Sequence, residues 1–302
     1  MEDKRKRVQE LKKEKDAVLM AHYYVEQEVQ EVADYIGDSY YLAKQAAEVE
    51  AGTIVLCGVS FMGESAKVLN EKKTVLLPDA LADCPMAHMA GAEQIRKVRE
   101  AYPSAAVVCY VNSTAELKRN ADVCVTSANA LKIVKALPNP VIYFIPDEHL
   151  GRFIAAQVPE KKFLFNEGFC PVHKAITAKD VRRTMEMHPN AQVLVHPECP
   201  EEVTALADYT GSTSGIIHYA CECPAEEFII CTELGVMYEL ERRNPQKRFY
   251  AVRERQICEG MKRITLDKII RALETGETEV KMEENLLREA SVPLERMLQL
   301  AK

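Results

Sequence analysis

Three segments of this chain carry the same pattern, and an internal triplication restricts the fold more than composition does. The apolar runs at 17–24, 105–112 and 191–198 each end in polar or aromatic residues. Counted from His22, Tyr110 and His196, an Ala-Asp pair begins 11 residues on, as Ala33-Asp34, Ala121-Asp122 and Ala207-Asp208. A hydroxyl residue stands at offset 17 in every copy: Ser39, Ser127 and Thr213. A second apolar run is centred near offset 32, around Ile54, Ile142 and Phe228. Cys84, Cys170 and Cys258 follow at offsets 62, 60 and 62, which leaves them 86 and 88 residues apart.

Within each unit helical patterns alternate with short, continuous apolar runs. Such runs point to parallel sheets covered on both faces. In the first unit the pattern predicts helices over 3–14, 27–33, 39–50 and 61–70, with strands over 17–22, 53–57 and 74–77. The second unit has strands near 106–111, 141–145 and 162–165, and the third near 192–196, 227–231 and 247–251. The expected fold class is α/β: three pseudo-threefold-related α/β/α sandwich repeats with parallel sheets and an active site on the central axis. The repeats are expected over 1–84, 85–170 and 171–258. Residues 259–302 carry helical patterns at 265–275 and 283–300, expected to pack back on the first repeat, with Pro293 starting a separate helix.

Charge and composition narrow the function. The chain has 302 residues, with 39 Lys and Arg against 46 Asp and Glu and a net charge of −7, which argues against a general nucleic-acid binder. No run reaches the roughly 18 apolar residues of a membrane span. The charged start, Met1 to Arg7, has no signal-peptide core, so a cytoplasmic location is expected. Ten cysteines in such a chain read as core thiols, metal ligands or nucleophiles rather than a disulfide framework.

In parallel α/β sheets ligands bind beyond the carboxyl ends of the strands. There each repeat offers a pair at spacing two: His22/Tyr24, Tyr110/Asn112 and His196/Glu198. In an extended chain residues i and i+2 share a face. Ser39, Ser127 and Thr213 each open a helical pattern, as helix caps or as part of a shared anion site. Cys57, Cys109, Cys124 and Cys231 lie inside apolar runs and read as core. Cys199 should point away from Glu198, and Cys221 and Cys223 form a C-x-C with no counterpart in the other repeats. Cys84, Cys170 and Cys258 each follow a third strand by a short loop. Two precede proline, which favours extended backbone at the cysteine. Three thiolates suit a soft metal: zinc, with His88 or His173 as a fourth ligand, or a 4Fe–4S cluster with one iron left open.

The segments around His22-Tyr23-Tyr24, Ala33 to Ser39, Cys84-Pro85-Met86-Ala87, Tyr110 to Thr114, Thr126 to Asn129, Cys170 to His173, His196 to Pro200 and Gly211-Ser212-Thr213 together resemble the quinolinate synthase family of bacterial NAD biosynthesis, over essentially the whole chain. The resemblance implies condensation of iminosuccinate with dihydroxyacetone phosphate to quinolinate, with loss of phosphate and two waters. It implies a 4Fe–4S cluster on Cys84, Cys170 and Cys258. It implies substrate contacts from His22, Ser39, Tyr110, Asn112, Ser127, His196, Glu198 and Thr213, and a functional link to the enzyme supplying iminosuccinate. Many members have Asn at Tyr23, whose side chain should face away from the site. Around Cys258 the family's occasional C-x-x-C-x-x-C is missing, so no switchable disulfide is expected. The acid–base candidates are Tyr24, Glu198, His196 and His22, with histidine expected to be poised near neutral pH. A zinc-dependent lyase or aldolase, or a non-catalytic metabolite-binding protein, are the alternatives on the same scaffold.

Overall fold

The computed structural model describes residues 2–302. Three four-stranded sheets, all parallel, make up its framework. The first contains β1 (Ala17–His22), β2 (Tyr35–Gly37), β3 (Thr53–Cys57) and β4 (Thr74–Leu76). The second contains β5 (Ala105–Tyr110), β6 (Val123–Val125), β7 (Val141–Ile145) and β8 (Lys162–Phe165). The third contains β9 (Gln192–Val195), β10 (Tyr209–Thr210), β11 (Glu227–Cys231) and β12 (Arg248–Ala251). Each sheet has the same spatial order, with its first and third strands central and its second and fourth at the edges. This is the α/β threefold-repeat sandwich expected from the offsets. The central strands are apolar almost throughout because helices cover both faces, and β5 is buried at every position.

The recurring Ala-Asp pair has a structural cause. Asp34 donates its backbone N–H to the Leu19 carbonyl at 2.8 Å and accepts the Leu19 N–H on its side chain at 2.8 Å. Asp122 does the same with Val107 (2.9 and 2.7 Å), and Asp208 with Val193 (2.9 and 2.7 Å). Each aspartate thus clips the short second strand onto the first before the chain turns into its next helix. The second strands themselves, two or three residues long, carry no periodicity that sequence reading could detect.

The order within each sheet reverses between its first and third strands. The crevice beyond the carboxyl ends of those two strands is the topological switch point where α/β sheets take ligands. All three crevices open onto one cavity.

The carboxyl-terminal segment departs from expectation in two ways. Helix Leu266–Thr275, capped by the Thr265 hydroxyl and ended by Gly276 at φ +68°, packs on helix Glu2–Glu14. Helix Glu284–Leu300 is continuous through Pro293, so no separate helix begins there. It lies against β6 and helices Ala115–Lys118 and Ala130–Ala136 as well as Ser60–Val68. The tail therefore straddles the first two sheets rather than closing the first alone. Leu287, Ala290, Leu294 and Met297, at helical spacing, form its buried stripe.

Candidate functional site

One cavity is lined by every site residue expected from the sequence: His22, Tyr24, Ser39, Tyr110, Asn112, Ser127, His196, Glu198, Thr213, Cys84, Cys170 and Cys258. The strand-end pairs face one another because the three sheets turn their carboxyl ends inward. Tyr23, between His22 and Tyr24, lies outside the cavity, as alternation requires. Cys57, Cys109, Cys124 and Cys231 are buried in the core. Cys199 is buried and lines a different cleft, with His149 and Arg152. Cys221 is exposed and Cys223 half-buried, both away from the cavity. His88 is exposed and held by Asp83 at 2.7 Å, so it does not serve the cavity, whereas His173 lines it.

A chain of close polar contacts crosses the site. His173 Nδ1 lies 2.7 Å from Glu198 Oε2, and His173 Nε2 lies 2.9 Å from Thr232 Oγ1. Thr232 Oγ1 lies 2.7 Å from Tyr24 Oη, which lies 2.8 Å from Thr213 Oγ1. Burial pushes the Glu198 carboxyl up, but His173, His196 and a hydrogen bond from Tyr110 overcome it and hold the group well below the usual carboxylate range. Ionised Glu198 can only accept. A proton on His173 Nδ1, the nitrogen facing the carboxylate, leaves Nε2 to accept from Thr232, which in turn accepts from Tyr24. Burial, reinforced by the Glu198 charge, keeps Tyr24 a phenol far above its ordinary pKa. Tyr24 is thus a proton donor at one end of a path whose other end is a carboxylate.

His22 and His196 correct the expectation that histidine is poised near neutrality. Burial lowers each imidazole to about 3, against the smaller opposing pull of Glu198. Each Nδ1 also accepts a backbone N–H two residues on, from Tyr24 at 3.1 Å and from Glu198 at 3.3 Å. The proton of the neutral ring therefore sits on Nε2. Both histidines are fixed hydrogen-bond donors, not acid–base groups that titrate near pH 7.

The three hydroxyl residues are not helix caps. Asp38 caps helix Ser39–Glu48 by accepting from Tyr41 at 3.0 Å, and Ser212 caps helix Thr213–Glu222 by accepting from Gly215 at 3.1 Å. Ser39 and Thr213 are the first helical residues, and Ser127 precedes Asn129, the residue before helix Ala130–Ala136. Neighbours do the capping in the first and third repeats, whereas Asn129 makes no side-chain cap bond and its Oδ1 accepts the Thr126 N–H; all three hydroxyl residues line the cavity. No Lys or Arg lines it. Anions there meet N–H and O–H groups instead.

The three cysteines share one local geometry. Each has extended backbone and stands immediately before a single helical turn: Pro85–His88, Pro171–Lys174 and Glu259–Lys262. Burial raises all three thiols, and backbone N–H groups of the following turn pull back toward the thiolate: Met86 and Ala87 at Cys84, His173 at Cys170, Gly260 and Met261 at Cys258. Half-buried sulfurs that line the cavity, each just before a helical turn, fit thiolate ligands to a metal centre. A lone tetrahedral zinc would hold thiolates about 3.8 Å apart, given bonds of about 2.3 Å. Among the described residues, the group whose ligand atoms all lie within 4.8 Å of one another is Cys170, His173 and Glu198, not the three cysteines. In that candidate metal group His173 Nε2 is engaged by Thr232, whereas Nδ1 lies 2.7 Å from Glu198 without an aligned hydrogen bond.

Sequence reading missed the roles of Thr232 and Glu233 and placed His173 only as a metal ligand. A signal existed at offset 36 and 37 from each start, just past the third strand of each repeat: Gly58-Val59, Pro146-Asp147 and Thr232-Glu233. These positions form the second lip of each switch-point crevice.

Comparison with known proteins agrees with this geometry. A family model described as quinolinate synthetase A protein matches residues 6–299. The chain is 48% identical over 295 residues to the quinolinate synthase of Fusobacterium nucleatum subsp. nucleatum, covering 98% of each chain. It is 47% identical over 297 residues to that of Caldicellulosiruptor saccharolyticus, again covering 98% of each. It is 46% identical over 295 residues to that of Clostridioides difficile, covering 98% of this chain and 97% of the other.

Proposed function

The chain belongs to the quinolinate synthetase A protein family, enzymes of NAD biosynthesis, and on that premise we propose how its cavity makes quinolinate. The substrates are iminosuccinate and dihydroxyacetone phosphate, and the products are quinolinate, phosphate and two waters. The three repeats, over 1–84, 85–170 and 171–258, each supply a strand end, a hydroxyl and a cysteine. Cys84, Cys170 and Cys258 hold a 4Fe–4S cluster, a reading supported by three half-buried cysteines, one per repeat, that line one cavity and whose sulfurs do not all lie within 4.8 Å of one another. Such a cluster, when bound on three thiolates, supplies an iron with an open position that acts as a Lewis acid toward a substrate oxygen.

The chain's own residues do the remainder. Ser39, Ser127, Asn112 and the Nε2–H groups of His22 and His196 hold the carboxylates and phosphate through neutral donors. Tyr24 takes up a proton from the reacting carbon skeleton as its own passes to Thr232. The Thr232 hydroxyl proton passes to His173 Nε2, and the Glu198 carboxylate, 2.7 Å from Nδ1, balances the charge that His173 gains. Tyr110 steadies Glu198 by hydrogen bonding to it. Burial of the whole path excludes bulk water from competing for these protons. The enzyme that supplies iminosuccinate is the expected functional neighbour, and a cytoplasmic location fits a chain whose described helices include none long and apolar enough to cross a membrane.

The observation that carries this reading is the run of close polar contacts from Tyr24 to Glu198 through Thr232 and His173. Its test is anaerobic turnover of Tyr24→Phe and Glu198→Gln with iron, sulfide and quinolinate quantified together. Each variant should load the parent's iron and lose about 100- to 10,000-fold in kcat. Turnover within about threefold of the parent would remove Tyr24 and Glu198 from the chemistry.

A further inference from the structure

Beyond the strand ends and the cysteines lies a buried ion pair that touches both. Glu233 is buried, two residues past the end of β11, and its carboxylate accepts the backbone N–H of Cys258 at 3.1 Å through Oε1 and that of Gly235 at 2.6 Å through Oε2. Lys262, in the helical turn after Cys258, pairs with Glu233 Oε1 at 3.2 Å and donates to the Tyr24 carbonyl at 2.8 Å. The backbone of this junction is close-packed: a Cβ on Gly235 would stand 2.6 Å from Tyr24 Cα, and one on Gly260 would stand 2.3 Å from the Asp83 carbonyl oxygen, beside Cys84. We infer that Glu233 is a positioning residue. Through Lys262 it locks the loop carrying Cys258 to the strand end carrying Tyr24, so that the metal ligand of one repeat and the proton donor of another keep one relative placement. Asp147 occupies the corresponding position of the second repeat, is likewise buried, and accepts the backbone N–H of Leu150 at 2.6 Å. The first repeat has Val59 at this position. The carboxylate at this position that accepts a cysteine's own N–H is Glu233, and through Lys262 it also reaches the strand end of the proton donor.

This inference rests on Cys258 being a cluster ligand, and its test separates the two claims. Parent, Cys258→Ser, Glu233→Gln, Glu233→Asp and Lys262→Met are purified anaerobically. Iron and sulfide per chain, the rate of iron release to a chelator, and kcat and KM are measured on each. Glu233→Gln should load iron near the parent's content, release it at least tenfold faster, and lose at least tenfold in kcat with KM within threefold. Glu233→Asp should recover part of both losses. Lys262→Met should lose kcat without a matching change in iron release, because the Cys258 N–H keeps its carboxylate. Should Glu233→Gln fail to fold, Lys262→Met and Glu233→Asp decide. Iron release and kcat within twofold of the parent in the folded variants would overturn the inference. A Cys258→Ser protein that keeps full iron would instead overturn the ligand assignment, leaving the tie to Tyr24 to be judged by the kcat of Lys262→Met.

Discussion

Thr232→Val is the sharpest single perturbation of the proposed proton path. Valine has nearly the shape of threonine, and Thr232 is fully buried outside the cavity lining, so the change touches neither substrate nor ligand cysteines. It removes two hydrogen bonds, 2.7 Å to Tyr24 and 2.9 Å to His173. Tyr24 keeps its 2.8 Å partner Thr213, so only His173 Nε2 is orphaned. An unpartnered buried group costs about 1–3 kcal/mol, a loss of a few degrees in Tm that a chain of this size tolerates. The kinetic effect should be far larger than that stability loss suggests. Losing a positioned proton transfer costs about 100- to 10,000-fold, or roughly 3–5 kcal/mol of barrier. The assay is anaerobic steady-state and single-turnover formation of quinolinate at matched iron content, with calorimetric titration of a substrate-like dicarboxylate. Dicarboxylate affinity should stay within about twofold, and Thr232→Ser should restore most of the rate. Because one path is cut at different points, Thr232→Val combined with Glu198→Gln should be scarcely worse than the slower single variant. An iron-replete Thr232→Val that keeps a third or more of the parent's kcat, or a double variant whose losses multiply, would refute a single continuous path.

Cys84→Ser, Cys170→Ser and Cys258→Ser should each abolish cluster assembly and activity, whereas Cys221→Ser and Cys223→Ser should retain both; iron and sulfide counts on anaerobic protein check this. Ser39→Ala and Ser127→Ala should weaken dicarboxylate binding roughly 10- to 150-fold, from about 1.5–3 kcal/mol per hydrogen bond to a charged group, with little effect on the cluster. Thr213→Val should weaken binding and also slow turnover, since its hydroxyl holds Tyr24; equal kcat in calorimetrically weakened Thr213→Val would contradict that shared role. Stability should fall on acidification between pH 7.5 and 5: His22 and His196 titrate near 3 when folded and near 6.5 when unfolded, so their contribution is full above 6.5 and is lost as pH drops toward 3. Each loses about 2 kcal/mol by pH 5, and urea midpoints of His196→Gln against the parent should show roughly half the pH slope.

How far the sequence could be read depended on whether a residue's role was local or assembled. The central strands were legible because burial on both faces writes a continuous apolar run, as in Ala105–Tyr110. The cysteines and strand-end pairs were legible because repetition at fixed offsets turned weak singles into a set. The edge strands at Tyr35–Gly37, Val123–Val125 and Tyr209–Thr210 were not, being too short for any period. Their trace was Ala-Asp, whose cause is a pair of backbone clips visible only in three dimensions. The hydroxyl residues were read as possible caps because Ser and Thr favour that position, yet Asp38 and Ser212 stand one residue earlier and take it. The protonation of His22 and His196 lay wholly outside sequence reach, since it follows from burial by three sheets at once.

Repetition and divergence divide the work of the site between them. The scaffold repeats what must be threefold: a switch-point crevice, a hydroxyl residue near a helix start, and a cysteine before a helical turn. The proton-handling groups do not repeat. The first repeat ends its leading strand in His22 and Tyr24, the second in Tyr110 and Asn112, and the third in His196 and Glu198. Three copies of Glu198 around one axis would repel one another and protonate, and the site would lose the single ionised acceptor that gives the path its direction. Three copies of Tyr24 would leave no acceptor at all. The second lip of each crevice diverges in the same sense: only the third repeat supplies a hydroxyl, Thr232, in reach of both Tyr24 and His173, whereas the first has Gly58 and the second Pro146 there. A directional proton path needs one donor end and one acceptor end, so it can only be built by breaking the symmetry that placed its residues together.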